Sequence, residues 1–291
     1  YPVLARELQE ATGIDVEWLQ SGLMLVGMAP GTGIEAWAEQ FHCRLQQLGE
    51  SQLHTREPEL AEGLGTAILL PDVAQVRNPF LCQALSLDLQ GQGVTLKEHT
   101  EVTGIIERAG VVQGVRTSQG ELAASRVVIA GGAWSALLLQ TTGLELPVTP
   151  VRGQMIQFEA RPGLLNHIVL YRGHYLIPRR DGLILCGSTL EHTGYDNATT
   201  PEARALLVQR ATGLLPALSE CEVVRHWAGL RPGSPDGVPY IDEHPAIRGL
   251  FINTGHFRNG VVMAPASARL LADRLLGQPS FTDANLYHID R

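Results

Sequence analysis

The 291-residue chain has little of what marks several function classes. Its four cysteines, Cys43, Cys82, Cys186 and Cys221, lie far apart and form no C-x-x-C pair. Such spacing argues against a disulfide framework or a zinc site and suits a reducing, cytoplasmic compartment. The ten histidines include no H-E-x-x-H and no pair at helical spacing, so no metal site is expected. No apolar run is long enough for a membrane span, and no signal peptide is visible. Aromatic residues are only 5%, no basic stripe is present and the net charge is −8, which argues against a nucleic-acid partner.

What is present is a soluble-protein composition, 44% hydrophobic and 18% charged, in which helix and strand signals alternate. Pro2 to Ala11 reads as a helix that Pro2 can open and Gly13 can close. Leu23 to Val26 reads as a strand. Ile34, Trp37, Ala38, Phe41, Leu45 and Leu48 recur at helical spacing and predict one helix from Ile34 to Leu48. Asn78 to Leu89 predicts another. Gly104–Arg108 and Val111–Thr117 flank Ala109-Gly110, a hairpin signal. Arg126–Ala130 is continuously apolar after Arg126, as in a strand buried on both faces. Gln154–Phe158, Tyr175–Ile177, Leu183–Cys186 and Leu250–Asn253 are further strands. Pro201–Leu215 and Val262–Leu276 complete the helices. No repeat or linker divides the chain, so a mixed α/β or α+β fold is predicted.

Gly31-Thr32-Gly33-Ile34-Glu35-Ala36 matches the dinucleotide fingerprint G-x-G-x-x-G/A. However, Met28 and Pro30 make its junction with the preceding strand irregular. No second strand ends in Asp or Glu about 20 residues on, where a ribose partner belongs. The motif is therefore read as a loop and a helix start.

Three later segments carry chemistry. Val127–Ser135 (VVIAGGAWS) ends an apolar strand on two glycines, where backbone can approach a bulky ligand. Trp227–Asp242 (WAGLRPGSPDGVPYID) places Arg231 on a predicted loop, suited to a carboxylate or to an ion pair with Asp236. The strand Leu250–Asn253, the loop GHFRNG (Gly255–Gly260) and the helix after it form a helix N-terminus that favours negative charge.

Together with HYLIPR (His174–Arg179) and PVRGQ (Pro150–Gln154), these segments resemble the glycine oxidase branch of the D-amino-acid oxidase family of FAD enzymes. The resemblance runs from Tyr1 to Arg291 in the same order. It implies an FAD-binding Rossmann-like domain interleaved with an antiparallel-sheet substrate domain. Residues 1–20, 74–140 and 229–291 would form the first, and residues 21–73 and 141–228 the second. Arg231 resembles the arginine that pairs with the substrate carboxylate, and Tyr175 the tyrosine whose hydroxyl joins it. Leu190 resembles an apolar residue lining the side-chain pocket. Val102 resembles the residue whose backbone meets the adenine. Gly131, Gly132 and Trp134 resemble one flavin loop. Gly255, His256, Phe257, Arg258, Asn259, Gly260, Val261 and Val262 resemble the segment around the isoalloxazine; Arg258 is also expected near substrate, and Gly229 near the cofactor. Ala228–Asp236 holds no cysteine, so the FAD is expected to be non-covalent.

The implied activity is oxidation of glycine and small amines to glyoxylate, ammonia and hydrogen peroxide, with O₂ as acceptor and thiazole synthesis for thiamine as the outlet. No side-chain base is needed. The chain opens on Tyr1, inside a helix, and the family's N-terminal glycine-rich βαβ unit is not found. A shortened chain that binds FAD weakly or not at all and is itself inactive on glycine is expected, with an open edge at the RVVIA and GLFIN strands. A sarcosine or D-amino acid oxidase, and a non-catalytic remnant, stay open, as does a homo-oligomer.

Overall fold

The computed structural model describes residues 1–28, 31 and 33–291. The chain runs α1 (Pro2–Thr12), β1 (Leu23–Val26), α2 (Ile34–Gln40), β2 (Gln46–Leu48), α3 (Glu50–Arg56), β3 (Ala67–Leu70) and α4 (Asn78–Gly91). There follow β4 (Val102–Arg108), β5 (Val111–Thr117), β6 (Gly120–Ala123), β7 (Val127–Ile129), α5 (Ser135–Gln140), β8 (Thr149–Glu159), β9 (Ile168–Tyr171), β10 (His174–Pro178) and β11 (Leu183–Gly187). The last elements are α6 (Pro201–Leu214), β12 (Glu222–Gly233), β13 (Tyr240–Glu243), β14 (Leu250–Thr254) and α7 (Gly260–Leu275). Among the described residues no helix is long and apolar enough to cross a membrane.

Two compact units result. The first takes residues 1–96, 154–189 and 198–228; the second takes 97–153, 190–197 and 229–291. These boundaries differ from the predicted ones: residues 1–20 and 74–96 pack with the first unit, and 141–153 and 190–197 with the second. The reason is local packing. Leu8 on α1 is buried with Val76, Leu81 and Ala84 on or before α4, so these helices form one small core within the first unit.

The first unit is built on an eight-stranded sheet in the order β12-β8-β11-β10-β9-β1-β3-β2. Neighbours are mostly antiparallel, with β1 and β9 parallel. One core unites Ile156 and Phe158 of β8, Leu176 of β10 and Ile184 of β11 with Leu207, Ala211 and Leu214 of α6. Thr200 caps α6 by accepting the Ala203 N–H at 3.3 Å, and Pro201 follows where a helix needs no donor. Packing outweighs the cap. Leu207 is fully buried, and Leu207→Ala is expected to cost about 2–5 kcal/mol, against about 1 kcal/mol for Thr200→Ala. Denaturant midpoints measure both, and equal losses would contradict this order.

The predicted helix from Ile34 to Leu48 is corrected. α2 stops at Gln40, and Gln46–Leu48 pairs as β2 with Ala67–Leu69. Only Ala38 of α2 is buried, while Trp37 and Phe41 stay exposed against each other, so the helical face had little burial to continue for. His42 takes φ +54°, which ends the helix. Leu48 then finds its burial on the sheet edge.

The second unit holds two three-stranded sheets, β4-β5-β6 and β13-β14-β7. Ala109 and Gly110 both take positive φ in the predicted β4–β5 hairpin, as a two-residue turn requires. β14 pairs antiparallel with β13 and parallel with β7. Leu250 and Ile252 bury into one core with Ile129 and Leu139, and Phe251 into another with Leu270 and Leu271 of α7. Two expectations fail here. β7 is an edge strand with Val128 40% exposed, so it is not buried on both faces. β14, the GLFIN strand, is central and has no open edge.

Candidate functional site

Because β7 and β14 run parallel, their carboxyl ends emerge on the same side of their sheet. The loops that follow are residues 130–134 and 255–259, and a hydrogen bond joins their bases: Thr254 Oγ1 donates to the Gly132 carbonyl at 2.9 Å. Gly255 must be glycine. It has φ +83°, and a Cβ there would lie 3.1 Å from the Tyr240 ring. The second loop feeds α7, whose N-cap, Asn259, makes no side-chain cap and whose first turn holds no acidic residue. A Cβ at Gly260 would touch only His256 Cβ, at 3.6 Å. Val261 and Val262 are exposed on this turn. Arg258 is exposed and makes no hydrogen bond or ion pair among the described residues.

Around the first loop, Trp134 is exposed and lies 6.1 Å from the Tyr195 ring, centroid to centroid. Tyr195 donates its hydroxyl to the Ala133 carbonyl at 3.2 Å. Sequence reasoning missed Tyr195 because it lies in a polar run without a motif. Leu190 opens the same excursion, residues 190–197, and is exposed. Arg152 clamps this excursion. It is 5% exposed and reaches Glu191 at 2.6 Å and Asp196 at 2.7 Å. This clamp was also missed, since nothing in PVRGQ names its partners.

Arg231 lies on strand β12 and not on the predicted loop. Its proline and glycines do not end the strand, because β12 is held by its neighbours: Gly233 bridges His256, and the Phe257 N–H donates to the Pro232 carbonyl at 2.9 Å. These bonds bring the end of the Arg231 strand to the loop before α7. The alternative pairing with Asp236 is not what forms; Asp236 pairs with Arg291 at 3.2 Å. Gly229 is exposed on β12, with open space where a Cβ would stand. Val102 opens β4, paired with Thr117 on a different sheet from the two loops. Tyr175 belongs to the first unit, opposite Gly187, and its hydroxyl finds a weak acceptor, Met155 Sδ at 3.7 Å.

Several buried polar atoms beside these loops have no partner among the described residues: Ser135 Oγ after the first loop, Asn253 Oδ1 before the second, and Ser234 Oγ after β12. Buried polar groups are normally satisfied, so such atoms suit a ligand-binding surface. With an uncapped helix end, side-chain-free backbone and exposed apolar faces, this set of polar groups fits a large, flat, anionic cofactor.

The Gly31 motif is a decoy in geometry as well. The Gly31 N–H donates to Glu35 Oε1 at 3.1 Å, so a carboxylate occupies the place a phosphate would need. Glu35 is held below its ordinary pKa by its own backbone N–H and by that of Gly31. β3 lies between β1 and β2 and pairs antiparallel with both, so α2 does not join two adjacent parallel strands. Pro30 and Thr32 lie outside the described residues.

His256 is held below the ordinary histidine pKa by burial, with Nε2 at 2.9 Å from Ser267 Oγ. His244, His226 and His174 are lowered by burial too, the last two also by Arg204 and Arg210. A neutral buried histidine contributes stability that is complete above its unfolded pKa, about 6.5, and fades as pH falls below that value. The melting temperature is thus expected to drop between about pH 7 and pH 5.5, and His256→Gln to flatten the drop. A pH-independent midpoint would refute it.

Comparison with known proteins agrees with this geometry. Residues 2–274 match the DAO family of FAD-dependent oxidoreductases. The glycine oxidase of Pseudomonas putida is 46% identical over 288 residues, 99% of this chain and 79% of that protein. The ThiO/ThiG bifunctional protein of Trichormus variabilis is 32% identical over 297 residues, all of this chain and 45% of its own length. The crystal structure of glycine oxidase from Geobacillus kaustophilus superposes with TM-score 0.94 at 33% identity, covering 100% of this chain and 80% of that one. The α/β architecture, the loops at the ends of β7 and β14 and the match over residues 2–274 converge: the chain belongs to the DAO family of FAD-dependent oxidoreductases.

Proposed function

We propose that this protein oxidises glycine and similarly small amines, with non-covalent FAD, to glyoxylate, ammonia and hydrogen peroxide. The reading rests on one observation above the others: the strand that carries Arg231 is tied, through Pro232 and Gly233, to the loop that starts α7. An arginine suited to a carboxylate therefore adjoins a helix end suited to an anionic cofactor.

In this proposal Arg231 holds the substrate carboxylate by paired hydrogen bonds. The resemblance gives the same carboxylate a hydroxyl donor in Tyr175, assigns Leu190 to the side-chain pocket and adds Arg258 as a nearby cation. Gly131, Gly132, Trp134, Gly229, Val102 and residues 255–262 are assigned to FAD. Bound FAD supplies the acceptor for the Cα hydrogen and its electron pair. The protein's share is orientation, plus the positive potential of the α7 N-terminus beside developing negative charge. No side chain need remove a proton if the amine binds neutral. The absence of cysteine from residues 228–236 supports a non-covalent cofactor. The link to thiazole synthesis for thiamine rests on the resemblance.

The test is direct. Flavin-loaded protein supplied with glycine and O₂ is expected to form peroxide and glyoxylate in equal amounts, faster than with D-alanine or sarcosine. No peroxide from any of the three would overturn the proposal.

A further inference from the structure

Of the segments singled out in the sequence, PVRGQ is the one to which the proposed function gives no role. Its glycine, Gly153, is buried on β8, the strand beside β12. A Cβ built at Gly153 would collide with the Arg231 guanidinium, whose Cζ and two terminal nitrogens are its three nearest neighbours. The guanidinium therefore lies directly on the Gly153 backbone.

We propose that Gly153 is a positioning residue: its missing side chain is the shelf that sets the place of the Arg231 guanidinium, and through it the place of the bound carboxylate. This inference rests on reading Arg231 as the carboxylate anchor. The shelf itself cannot easily give way. The preceding residue, Arg152, exchanges both backbone hydrogen bonds with Glu191, at 2.9 and 3.0 Å, and its side chain is locked by Glu191 and Asp196. Gly233, on the facing strand, abuts Val151 and Thr149 of β8. The guanidinium, by contrast, is the far end of a flexible side chain. A methyl group at 153 would thus move the arginine and leave the strand.

Backbone strain is not part of this role. Gly153 does not adopt the left-handed region, so alanine fits its main chain. The same arrangement occurs under Tyr175, where a Cβ at Gly187 would lie 2.9 Å from the tyrosine Oη and 3.0 Å from its Cε2. Each residue assigned to the carboxylate lies on a glycine of a neighbouring strand.

The test compares wild type, Gly153→Ala, Arg231→Ala and the double variant, all flavin-loaded. Acetate affinity is measured by calorimetry, glycine KM and kcat by peroxide release, and folding by the melting temperature. Gly153→Ala is expected to weaken acetate about ten-fold or more and to raise KM in step. The melting temperature should hold or rise, since alanine restricts the unfolded chain. In the Arg231→Ala background the second substitution should add nothing to the acetate effect. If Arg231→Ala weakens acetate and Gly153→Ala does not, the shelf is refuted while the anchor stands. An equal further loss in the double variant shows general damage and also refutes it. Unchanged acetate affinity in Arg231→Ala removes the anchor itself, and the shelf with it.

Discussion

Arg231→Ala is expected to raise the glycine KM of the flavin-loaded protein by ten-fold or more. A hydrogen bond to a charged group contributes about 1.5–3 kcal/mol, and about 1.4 kcal/mol is one factor of ten. Two such bonds from a guanidinium fork would exceed that factor even if solvent replaced part of the loss. The effect should fall more on KM than on kcat, because the carboxylate is held before and during the chemical step. Arg231→Lys should recover only part of the affinity, since an ammonium keeps the charge and loses the planar fork. The strand position sharpens this expectation. On a loop the arginine could rearrange; on β12 its backbone is held by the bonds of Pro232 and Gly233 to the α7 loop. Unchanged glycine kinetics in the alanine variant would remove Arg231 from the site.

Gly260→Val is expected to lower flavin affinity by about ten-fold or more while leaving the fold intact. Gly260 is the first residue of α7, and a Cβ there meets only His256 Cβ at an ordinary 3.6 Å. The flavin-free protein should therefore melt at nearly the wild-type temperature. The cost should appear when the cofactor binds. Side-chain bulk forced into a close-packed contact costs about 1–3 kcal/mol, and the helix end would lose its close approach to negative charge. Flavin absorbance per protein and titration of FAD into flavin-free protein measure this directly. Full flavin content in the variant would mean that the start of α7 is not where the cofactor rests.

Much of this protein is determined by local sequence. Pro2 and Gly13 bound α1, Thr200 and Pro201 start α6, and Ala109-Gly110 turns β4 into β5, because capping and turn chemistry act over a few residues. The strand–glycine–helix order in VVIAGGAWS and GLFINTGHFRNG is likewise local, and it located both loops of the candidate site. Tertiary structure decided the rest. Ile34–Leu48 has helical spacing, yet the edge of β3 claimed Leu48, and Trp37 and Phe41 stay exposed against each other. Arg231 reads as a loop residue among Gly and Pro until β8 and the α7 loop hold its strand in place. The Arg152 clamp on Glu191 and Asp196, and the seat of the Arg231 guanidinium on Gly153, join residues about 40 to 80 positions apart. Periodicity and propensity act over a few residues. Which distant strands become neighbours is set by the burial and backbone pairing of the whole sheet, and the positions of the charged groups follow from that.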